Sequence, residues 1–287
     1  MITPSHARSD GTPQYLLISS IANHPGARGT ITGFTVQENL TREVAGRVAL
    51  ITGAARRLGA AIAEELHAQG MNLVLHYRNS QREAQDLQRR LNEIRENSVV
   101  LIQCDLLNTA KLTATVRQAE AAWGRLDVLV NNASSFFPTP IGTITEEQWD
   151  DLLGSNVKAP LFLSQAAAKA LAACRGCIVN IADIHAERPL KHYCVYSLAK
   201  AALVMLTKSL ARELGPQVRV NAVAPGAILW PEHNMDDVTK QRIISRTVAQ
   251  RQGDPRDVAR AVLFLIRDAD YTSGATVNID GGRTLRD

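Results

Sequence analysis

The segment Arg47–Arg78, RVALITGAARRLGAAIAEELHAQGMNLVLHYR, decides the fold that we expect for this chain. It begins with a short apolar run, passes through a turn rich in glycine and alanine, and continues with apolar residues at helical spacing as far as Gly70. Glycine at that position is typical of a helix C-cap, and a second apolar run follows it. The segment therefore predicts a strand, a helix and a second strand joined by short turns.

The same alternation of apolar runs and helical patterns continues to the end of the chain. Seven strands are predicted, over residues 47–53, 71–78, 98–106, 126–133, 176–183, 218–225 and 276–282. Six helices are predicted, over residues 58–70, 80–97, 110–124, 145–172, 195–215 and 254–268. Apolar strands that alternate with helices indicate a parallel sheet covered on both faces, so we predict one doubly wound α/β domain over residues 45–287. Residues 1–44 show no sustained periodicity and are predicted to form a poorly ordered extension.

Composition and charge narrow the classes of function. The 287 residues carry a net charge of +4, but the basic residues are scattered, without the clusters typical of nucleic-acid binding. No unbroken apolar run reaches the roughly 18 residues needed to span a bilayer, and no signal-peptide pattern is visible. Cys174 and Cys177 form a C-x-x-C pair with no second pair at zinc-finger spacing. We therefore expect a cytoplasmic protein with reduced thiols and no metal, nucleic acid or membrane partner.

The turn after the first predicted strand, TGAARRLG at residues 52–59, has the form of a dinucleotide site. Such a turn points backbone N–H groups and a helix N-terminus at a pyrophosphate. An NAD site would place Asp or Glu about 20 residues further on, but this chain has HYRNS at residues 76–80. Arg78 and the nearby hydroxyls suit a 2′-phosphate, because a guanidinium fork matches phosphate oxygens. The pattern favours NADPH over NADH, and the alternatives are a turn without a ligand and a solvated arginine.

Two further strand ends are predicted to open on the same crevice. The sequence CDL ends the third strand and would place Asp105 near the adenine. The sequence VNNAS ends the fourth strand and would place Asn132 and Ala133 against the cofactor. Each pattern alone is typical of an ordinary turn, but the carboxyl ends of parallel strands meet at one edge of a sheet.

A possible proton-transfer group lies in NIADIHAERPLKHYCVYSLAK, residues 180–200. Tyr196 and Lys200 are one helical turn apart on the same face. We expect the Lys200 ammonium to lower the pKa of the tyrosine from its usual value near 10 and to hold the nicotinamide ribose. Asp183 precedes the tyrosine at a place where enzymes of this kind usually carry serine.

Together these residues resemble the short-chain dehydrogenase/reductase family, which implies one Rossmann-like domain over about residues 46–287 with a seven-stranded parallel sheet. The resemblance rests on NNA at 131–133, Asn156, the Tyr196/Lys200 pair, NAVAPG at 221–226 and DGG at 280–282. Within that family the chain looks most like the pteridine reductases. The features behind that likeness are Arg57 where glycine is usual, HYRNS, NNASSFFPTP at 131–140, Asp183 and Tyr193. The loop PGAILWPEHN at 225–234 departs from the commoner Pro-Gly-x-x-Thr pattern.

The resemblance also implies residue roles and an assembly. Arg57 would contact cofactor phosphate and pterin, Ser134 would hydrogen-bond either of them, and Phe136 would stack on the pterin opposite the nicotinamide. Tyr193 would line the pocket, although plain aromatic packing is the alternative for both rings. The implied catalytic residues are Asp183, Tyr196, Lys200 and Asn156. The implied cofactor-binding residues are Thr52, Gly53, Arg57, Leu58, Gly59, His76, Tyr77, Arg78, Ser80, Asp105, Leu106, Asn132, Ala133, Ser134, Tyr196, Lys200, Pro225 and Gly226. A homotetramer built on the helices at residues 146–172 and 195–214 is implied as well.

The carboxylate of Asp183 bears on the substrate. A ketone develops negative charge on oxygen as it is reduced, so an ionised carboxylate beside it would be repulsive. A dihydropterin offers ring nitrogens and needs a proton on nitrogen, which a carboxylate can assist by accepting an N–H, by orienting the tyrosine or a water, or by donating a proton. We therefore predict an NADPH-dependent reductase of a dihydropterin or folate-like small molecule. The alternatives are a carbonyl reductase acting on a 3-oxoacyl or sugar substrate, and a catalytically idle dinucleotide-binding scaffold or redox sensor.

Overall fold

The computed structural model describes residues 43–230 and 235–286. The extension predicted at residues 1–44 lies outside these residues except for its last two positions, and so does part of the loop at 225–234. Within the described residues, seven strands form one parallel sheet in the order β3-β2-β1-β4-β5-β6-β7. The strands are β1 (Val48–Ile51), β2 (Asn72–Tyr77), β3 (Val99–Gln103), β4 (Val128–Asn131), β5 (Cys177–Ile181), β6 (Arg219–Pro225) and β7 (Thr276–Ile279). The predicted doubly wound parallel fold is confirmed.

Helices cover both faces of this sheet. In the described part of the chain they are α1 (Arg57–Ala68), α2 (Gln81–Ile94), α3 (Leu112–Ala121), α4 (Glu146–Leu153), α5 (Ala159–Ala173), α6 (Cys194–Leu214), α7 (Asp237–Ser245) and α8 (Pro255–Arg267). Successive residues of a strand point to opposite faces. Ala49 and Ile51 accordingly join a core with α1, α2 and α8, whereas Val48 and Leu50 join a core with α3 and α5. Burial on both faces explains why the strands are continuous apolar runs.

The helix predicted over residues 145–172 differs in one respect. α4 and α5 are joined by a π-helical turn, Gly154–Lys158, rather than by regular α-helix. Asn156 lies in this turn, and its Nδ2 donates to Leu152 O (3.0 Å) and to Ser135 O (3.1 Å). The extra residue of a π turn is common where a helix presents a functional side chain.

Two helices need comment. The short helix α7 was not predicted, because its segment has no buried side chain to create an apolar stripe. Among the described residues, α6 also passes a test of length and mean hydropathy for a membrane-spanning helix, a weaker criterion than the unbroken apolar run sought in the sequence. Core helices of soluble proteins pass the same test, and α6 buries Tyr196 and Lys200 within the domain.

Candidate active site

The predicted site residues lie at the carboxyl edge of the sheet, where the chain leaves β1, β2, β4 and β5. β1 pairs with both β2 and β4, so the order of the strands reverses there. Such a switch point leaves a crevice outside the strand ends, and ligands of open α/β sheets bind in it. The structure therefore gathers side chains from distant parts of the sequence around one crevice.

Asp183 and Tyr196 form a direct pair in this crevice. Asp183 follows β5, and its Oδ1 accepts from the backbone N–H of His185 at 2.8 Å. Its Oδ2 accepts from the Tyr196 hydroxyl at 2.8 Å. The turn bond holds the carboxylate still, so the second oxygen fixes the direction of the tyrosine O–H. The carboxylate thus orients the tyrosine, which is one of the roles that we predicted for it.

The expected effect of Lys200 on Tyr196 is not what the structure shows. Burial, followed by the charge and hydrogen bond of Asp183, raises the pKa of Tyr196 well above its usual value. The Lys200 Nζ donates to Ile181 O at 2.8 Å and lies 5.6 Å from the centre of the tyrosine ring. Burial lowers the pKa of this ammonium to about 8. The pKa of Tyr196 is thus raised and not lowered as we expected, first by burial and then by Asp183, and Lys200 makes no hydrogen bond to the tyrosine hydroxyl.

Asn156 presents an unsatisfied acceptor near the pair. Its amide nitrogen bonds Leu152 and Ser135, whereas its Oδ1 is buried without a hydrogen-bond partner. An orphaned buried oxygen normally binds water or a ligand, because leaving it unpaired costs about 1–3 kcal/mol. Asn156 therefore lies where it can receive a hydrogen bond from a group that enters the site.

Aromatic side chains form one wall of the crevice. Phe136 stacks on Tyr193 with ring centres 4.6 Å apart and planes at 17°. It also meets the Tyr196 ring at 4.8 Å and 79°. Phe136 remains 45% exposed, so much of its surface is available to a flat ligand. The sequence-predicted substrate residues Phe136, Asp183, Tyr193 and Tyr196 are brought together.

The turn after β1 is built by close backbone approaches. Gly53 has φ +61°, and a Cβ there would lie 2.9 Å from Ala133 Cα. A Cβ on Gly59 would lie 2.3 Å from Gly53 O. The amide of Asn132 donates to Thr52 O (2.8 Å) and Gly53 O (3.0 Å), which ties the turn to the end of β4. Thr52 Oγ1 accepts from the backbone N–H groups of Asn132 and Ala133, so this hydroxyl supports the turn instead of facing the crevice.

The backbone conformation at Arg57 explains why glycine is usual at this position. Its φ is +57°, in the left-handed region that costs about 1–2 kcal/mol for a residue with a Cβ. The exposed side chain extends across the crevice, where Nη2 donates to Trp230 O at 3.2 Å. The strained backbone thus places a guanidinium between the turn and the loop after β6, and strain of this kind is concentrated at functional sites.

Two side chains near the end of β2 differ in burial and in their hydrogen-bond partners. His76 is buried, with Nδ1 accepting from Gly53 N–H (3.2 Å) and Nε2 bonded to Cys104 O (2.9 Å). Arg78 is half-exposed, and its Nε lies 3.6 Å from Asp105 Oδ2. The arginine is therefore accessible to a phosphate, whereas the histidine faces the interior.

The other predicted cofactor residues also lie around this edge. Tyr77 and Leu106 are buried, Ser134 is exposed, and Leu58 and Ser80 are partly buried. Pro225 ends β6, and Gly226 follows it with its N–H bonded to Ile279 O. A Cβ on Gly226 would lie 2.7 Å from the Asp280 side chain, so packing requires glycine there.

Comparisons with known proteins agree with this geometry. A family model described as enoyl-(acyl carrier protein) reductase matches residues 53–284. The chain is 38% identical to pteridine reductase 1 of Leishmania tarentolae, with 83% of this chain and 96% of the relative covered. The chain belongs to the short-chain dehydrogenase/reductase family. It is also 32% identical to a 3-oxoacyl-(acyl-carrier-protein) reductase of Staphylococcus aureus (82% and 96% covered). A 3beta-hydroxysteroid dehydrogenase 1 of Eggerthella lenta is 31% identical (85% and 95% covered).

Membership of the short-chain dehydrogenase/reductase family implies a nicotinamide cofactor, and the residues present fit one. The turn between β1 and α1, residues 52–56, is called the glycine turn here. Together with the start of α1 it can receive a diphosphate, and the half-exposed Arg78 can receive a further phosphate. The buried Asn156 Oδ1 has no hydrogen-bond partner, and the Lys200 ammonium is held by Ile181 O at the end of β5; both could bind polar groups of the nicotinamide ribose or the substrate.

Arg283 is a residue near this site that sequence reasoning missed. It lies half-buried in the turn that follows β7. Burial lowers the pKa of its guanidinium, while the charge of Asp183 raises it and that of Arg246 lowers it. Arg188, in the loop after Asp183, donates to the carbonyl of Arg286 and ties the C-terminal segment to the site. The only signal in the sequence for Arg283 was its position directly after the DGG motif.

Proposed function

We propose that this protein is an NADPH-dependent reductase that converts dihydropterins, including dihydrobiopterin-like, dihydromonapterin-like and folate-like molecules, to tetrahydropterins. The observation that carries the proposal is the 2.8 Å bond from the Tyr196 hydroxyl to Asp183. A carboxylate at this position is a poor neighbour for the oxyanion of a ketone reduction, but it is a good acceptor for ring N–H and amino groups.

The chain supplies a protonated hydroxyl beside the substrate. The raised pKa of Tyr196 keeps the phenol neutral near pH 7, and Asp183 Oδ2 holds its proton. When bound, the nicotinamide supplies a hydride. Tyr196 and Asp183 share one proton that can be passed to the substrate nitrogen, and the Lys200 ammonium offsets the charge of the carboxylate.

The aromatic wall supports a flat substrate. The rings of Phe136 and Tyr193 are stacked and nearly parallel, and Phe136 also meets the ring of Tyr196 edge-on. A bicyclic pterin ring that stacks on Phe136 would gain apolar contact area while its ring nitrogens face Asp183. Arg57 extends into the same region and can contact an acceptor on the ring.

The preference for NADPH rests on Arg78. No carboxylate occupies HYRNS at the end of β2, and Asp105, the acid that follows β3, is engaged with Arg78 itself. A carboxylate free to bind the ribose 2′-hydroxyl is the usual requirement for NADH.

The test is an assay of NADPH consumption with dihydrobiopterin, dihydromonapterin, dihydrofolate and an acetoacetyl thioester as parallel substrates. We expect turnover with at least one dihydropterin at a kcat/KM well above that for the thioester. Reduction of the thioester alone would overturn the proposal and favour a carbonyl reductase. That second candidate has support of its own, in the 32% identity to a 3-oxoacyl-(acyl-carrier-protein) reductase.

A further inference from the structure

The imidazole of His76 joins three segments of the cofactor crevice. It lies near the end of β2 and is 1% exposed. Nδ1 accepts from the Gly53 N–H in the turn after β1, at 3.2 Å, and Nε2 lies 2.9 Å from Cys104 O at the end of β3. The His76 carbonyl also accepts from the Ala54 N–H at 2.9 Å. One residue therefore connects the glycine turn to two neighbouring strand ends.

These partners allow a single protonation state of the ring. The Gly53 amide is a donor, so Nδ1 must offer a lone pair. The Cys104 carbonyl is an acceptor, so Nε2 must carry the hydrogen. A protonated imidazolium would turn Nδ1–H against the amide N–H and break the bond to the turn. The contacts thus require the neutral Nε2–H tautomer.

The Gly53 N–H depends on His76, whereas other groups of the glycine turn have partners of their own. Gly53 is in the left-handed region, and its space is limited by Ala133 Cα. The Asn132 amide holds the carbonyl groups of Thr52 and Gly53, and the Thr52 N–H donates to Val130 O at 3.0 Å. His76 is the side chain that holds the Gly53 N–H, and the first turn of α1 begins four residues later.

We propose that neutral His76 is a positioning residue for the dinucleotide: it holds the glycine turn in the conformation that receives the cofactor diphosphate, and protonation of the ring releases that turn and weakens cofactor binding. This differs from the direct cofactor contact that the sequence suggested. It depends on the nicotinamide cofactor of the family and not on the identity of the substrate, so it survives if the pterin proposal fails.

The charges around the ring define the pH range. Burial lowers the pKa of His76, and this effect outweighs the Cys104 carbonyl and the charge of Asp105 beyond β3, both of which favour protonation. From the turn, the ring meets an uncharged amide, and Arg56 and Arg57 are the next charged residues of that segment. On its own strand end the next charge is Arg78, which pairs with Asp105. The ring is therefore neutral at pH 7 and becomes charged only in acid.

The experiment measures the dissociation constant of NADP⁺ by calorimetry from pH 5 to pH 8, for the whole chain. His76→Asn keeps an acceptor near the place of Nδ1 and cannot be protonated, whereas His76→Phe keeps the size of the ring and no acceptor. His67→Phe is the matched control, because His67 is also buried and bonded to Ser98 but lies at the far end of α1. The cofactor phosphate itself titrates near pH 6, so the wild type is compared with His76→Asn at each pH.

We expect NADP⁺ to bind His76→Phe about tenfold more weakly than the wild type at pH 7.5, as an unpaired amide predicts. His76→Asn should retain most of the affinity, and the ratio of its dissociation constant to that of the wild type should fall as the pH is lowered from 7 to 5. His67→Phe should bind like the wild type at every pH. Equal affinity in His76→Phe, or parallel pH profiles in the wild type and His76→Asn, would overturn the proposal.

A second measurement does not depend on the variants being folded. In wild-type protein with ¹⁵N-labelled histidine, NMR at pH 7.5 should show His76 as the neutral Nε2–H tautomer. In the protein without cofactor, hydrogen exchange of the Gly53 amide should accelerate as the ring is protonated. A protonated Nδ1 at neutral pH, or an exchange rate at Gly53 that follows only the intrinsic chemistry, would contradict it.

Discussion

At the scale of single residues, the two oxygens of Asp183 have different partners. One oxygen is held by the His185 amide and the other accepts the Tyr196 proton, so the carboxylate is fixed before substrate arrives. A serine in this position could donate to a carbonyl oxygen, which Asp183 cannot do when ionised. This difference is the reason that we propose a substrate protonated on nitrogen rather than a ketone.

Replacing Asp183 with Ser should lower dihydropterin turnover about 10²–10⁴-fold, the usual effect of losing a positioned acid or base. Tyr196→Phe should lose at least as much, and the two losses should not add, because both residues serve one proton path. Steady-state kinetics measure the loss, and calorimetry should show NADPH affinity nearly unchanged in both variants. Intact pterin reduction in Asp183→Ser would mean that the carboxylate serves packing alone.

The pKa of Lys200 gives a prediction for stability. Burial lowers this pKa from 10.5 to about 8, so the unfolded chain binds the lysine proton more tightly than the folded protein does. The stability from the neutral lysine is therefore fully present above pH 10.5, where the unfolded chain has also lost the proton, and it is lost as the pH falls from 10.5 to 8. Relative to Lys200→Met, the wild-type protein without cofactor should gain about 2 kcal/mol in unfolding free energy between pH 8 and pH 10. Urea unfolding at each pH measures this free energy. Parallel curves of unfolding free energy against pH for the wild type and Lys200→Met would contradict the prediction.

At the scale of elements, the functional side chains take their positions from the ends of strands and helices. His76, within β2, is buried and supports the turn, whereas Arg78 lies just beyond the last strand residue, Tyr77, where its side chain is half-exposed. The π turn between α4 and α5 similarly lets Asn156 direct its amide to Ser135 and keep its oxygen free. A regular helix would have rotated that side chain.

Arg78→Ala should raise the KM for NADPH about tenfold and leave that for NADH nearly unchanged, because a charged hydrogen bond to phosphate contributes about 1.5–3 kcal/mol and this site is half-exposed. Arg82→Ala is the control, because Arg82 is an exposed arginine on α2, four residues further along the chain. Equal use of NADPH and NADH by the parent protein would disprove this origin of cofactor preference.

At the scale of the whole molecule, the reversal of strand order between β1 and β4 gathers the site. The turn after β1, the ends of β2, β4 and β5, and the start of α6 meet at one edge. The outer faces of α5 and α6 leave large apolar side chains exposed, among them Phe162 and Met205. Exposed apolar side chains on adjacent helices are typical of a subunit interface.

We predict a homotetramer through these helices, with a mass by light scattering about four times the 31.3 kDa chain. Met205→Glu should lower that mass, since Met205 is 60% exposed and a charge there would be buried by a partner. Ile94→Glu on α2, where the isoleucine is 77% exposed, should leave the mass unchanged. A monomeric mass for the parent protein at micromolar concentration would rule the assembly out.

The sequence by itself determined the parallel sheet, the glycine turn and the position of the Asp183, Tyr196 and Lys200 set. These follow from local signals: the spacing of apolar residues, glycines at close approaches, and a tyrosine and lysine one helical turn apart. Helix α7 and the π turn were not predicted, because neither has a spacing of apolar residues that differs from its surroundings.

Only the tertiary structure decided what the site residues do to one another. His76 supports the Gly53 turn because residues 23 positions apart meet in the fold. The pKa of Tyr196 rises because folding buries the hydroxyl and brings Asp183 into hydrogen-bond contact with it. The charge of Asp183 raises the pKa of Arg283, which burial lowers, although 100 residues separate the two in the chain. Protonation and orientation depend on burial and on the nearest charges, which come from elements that only folding brings together.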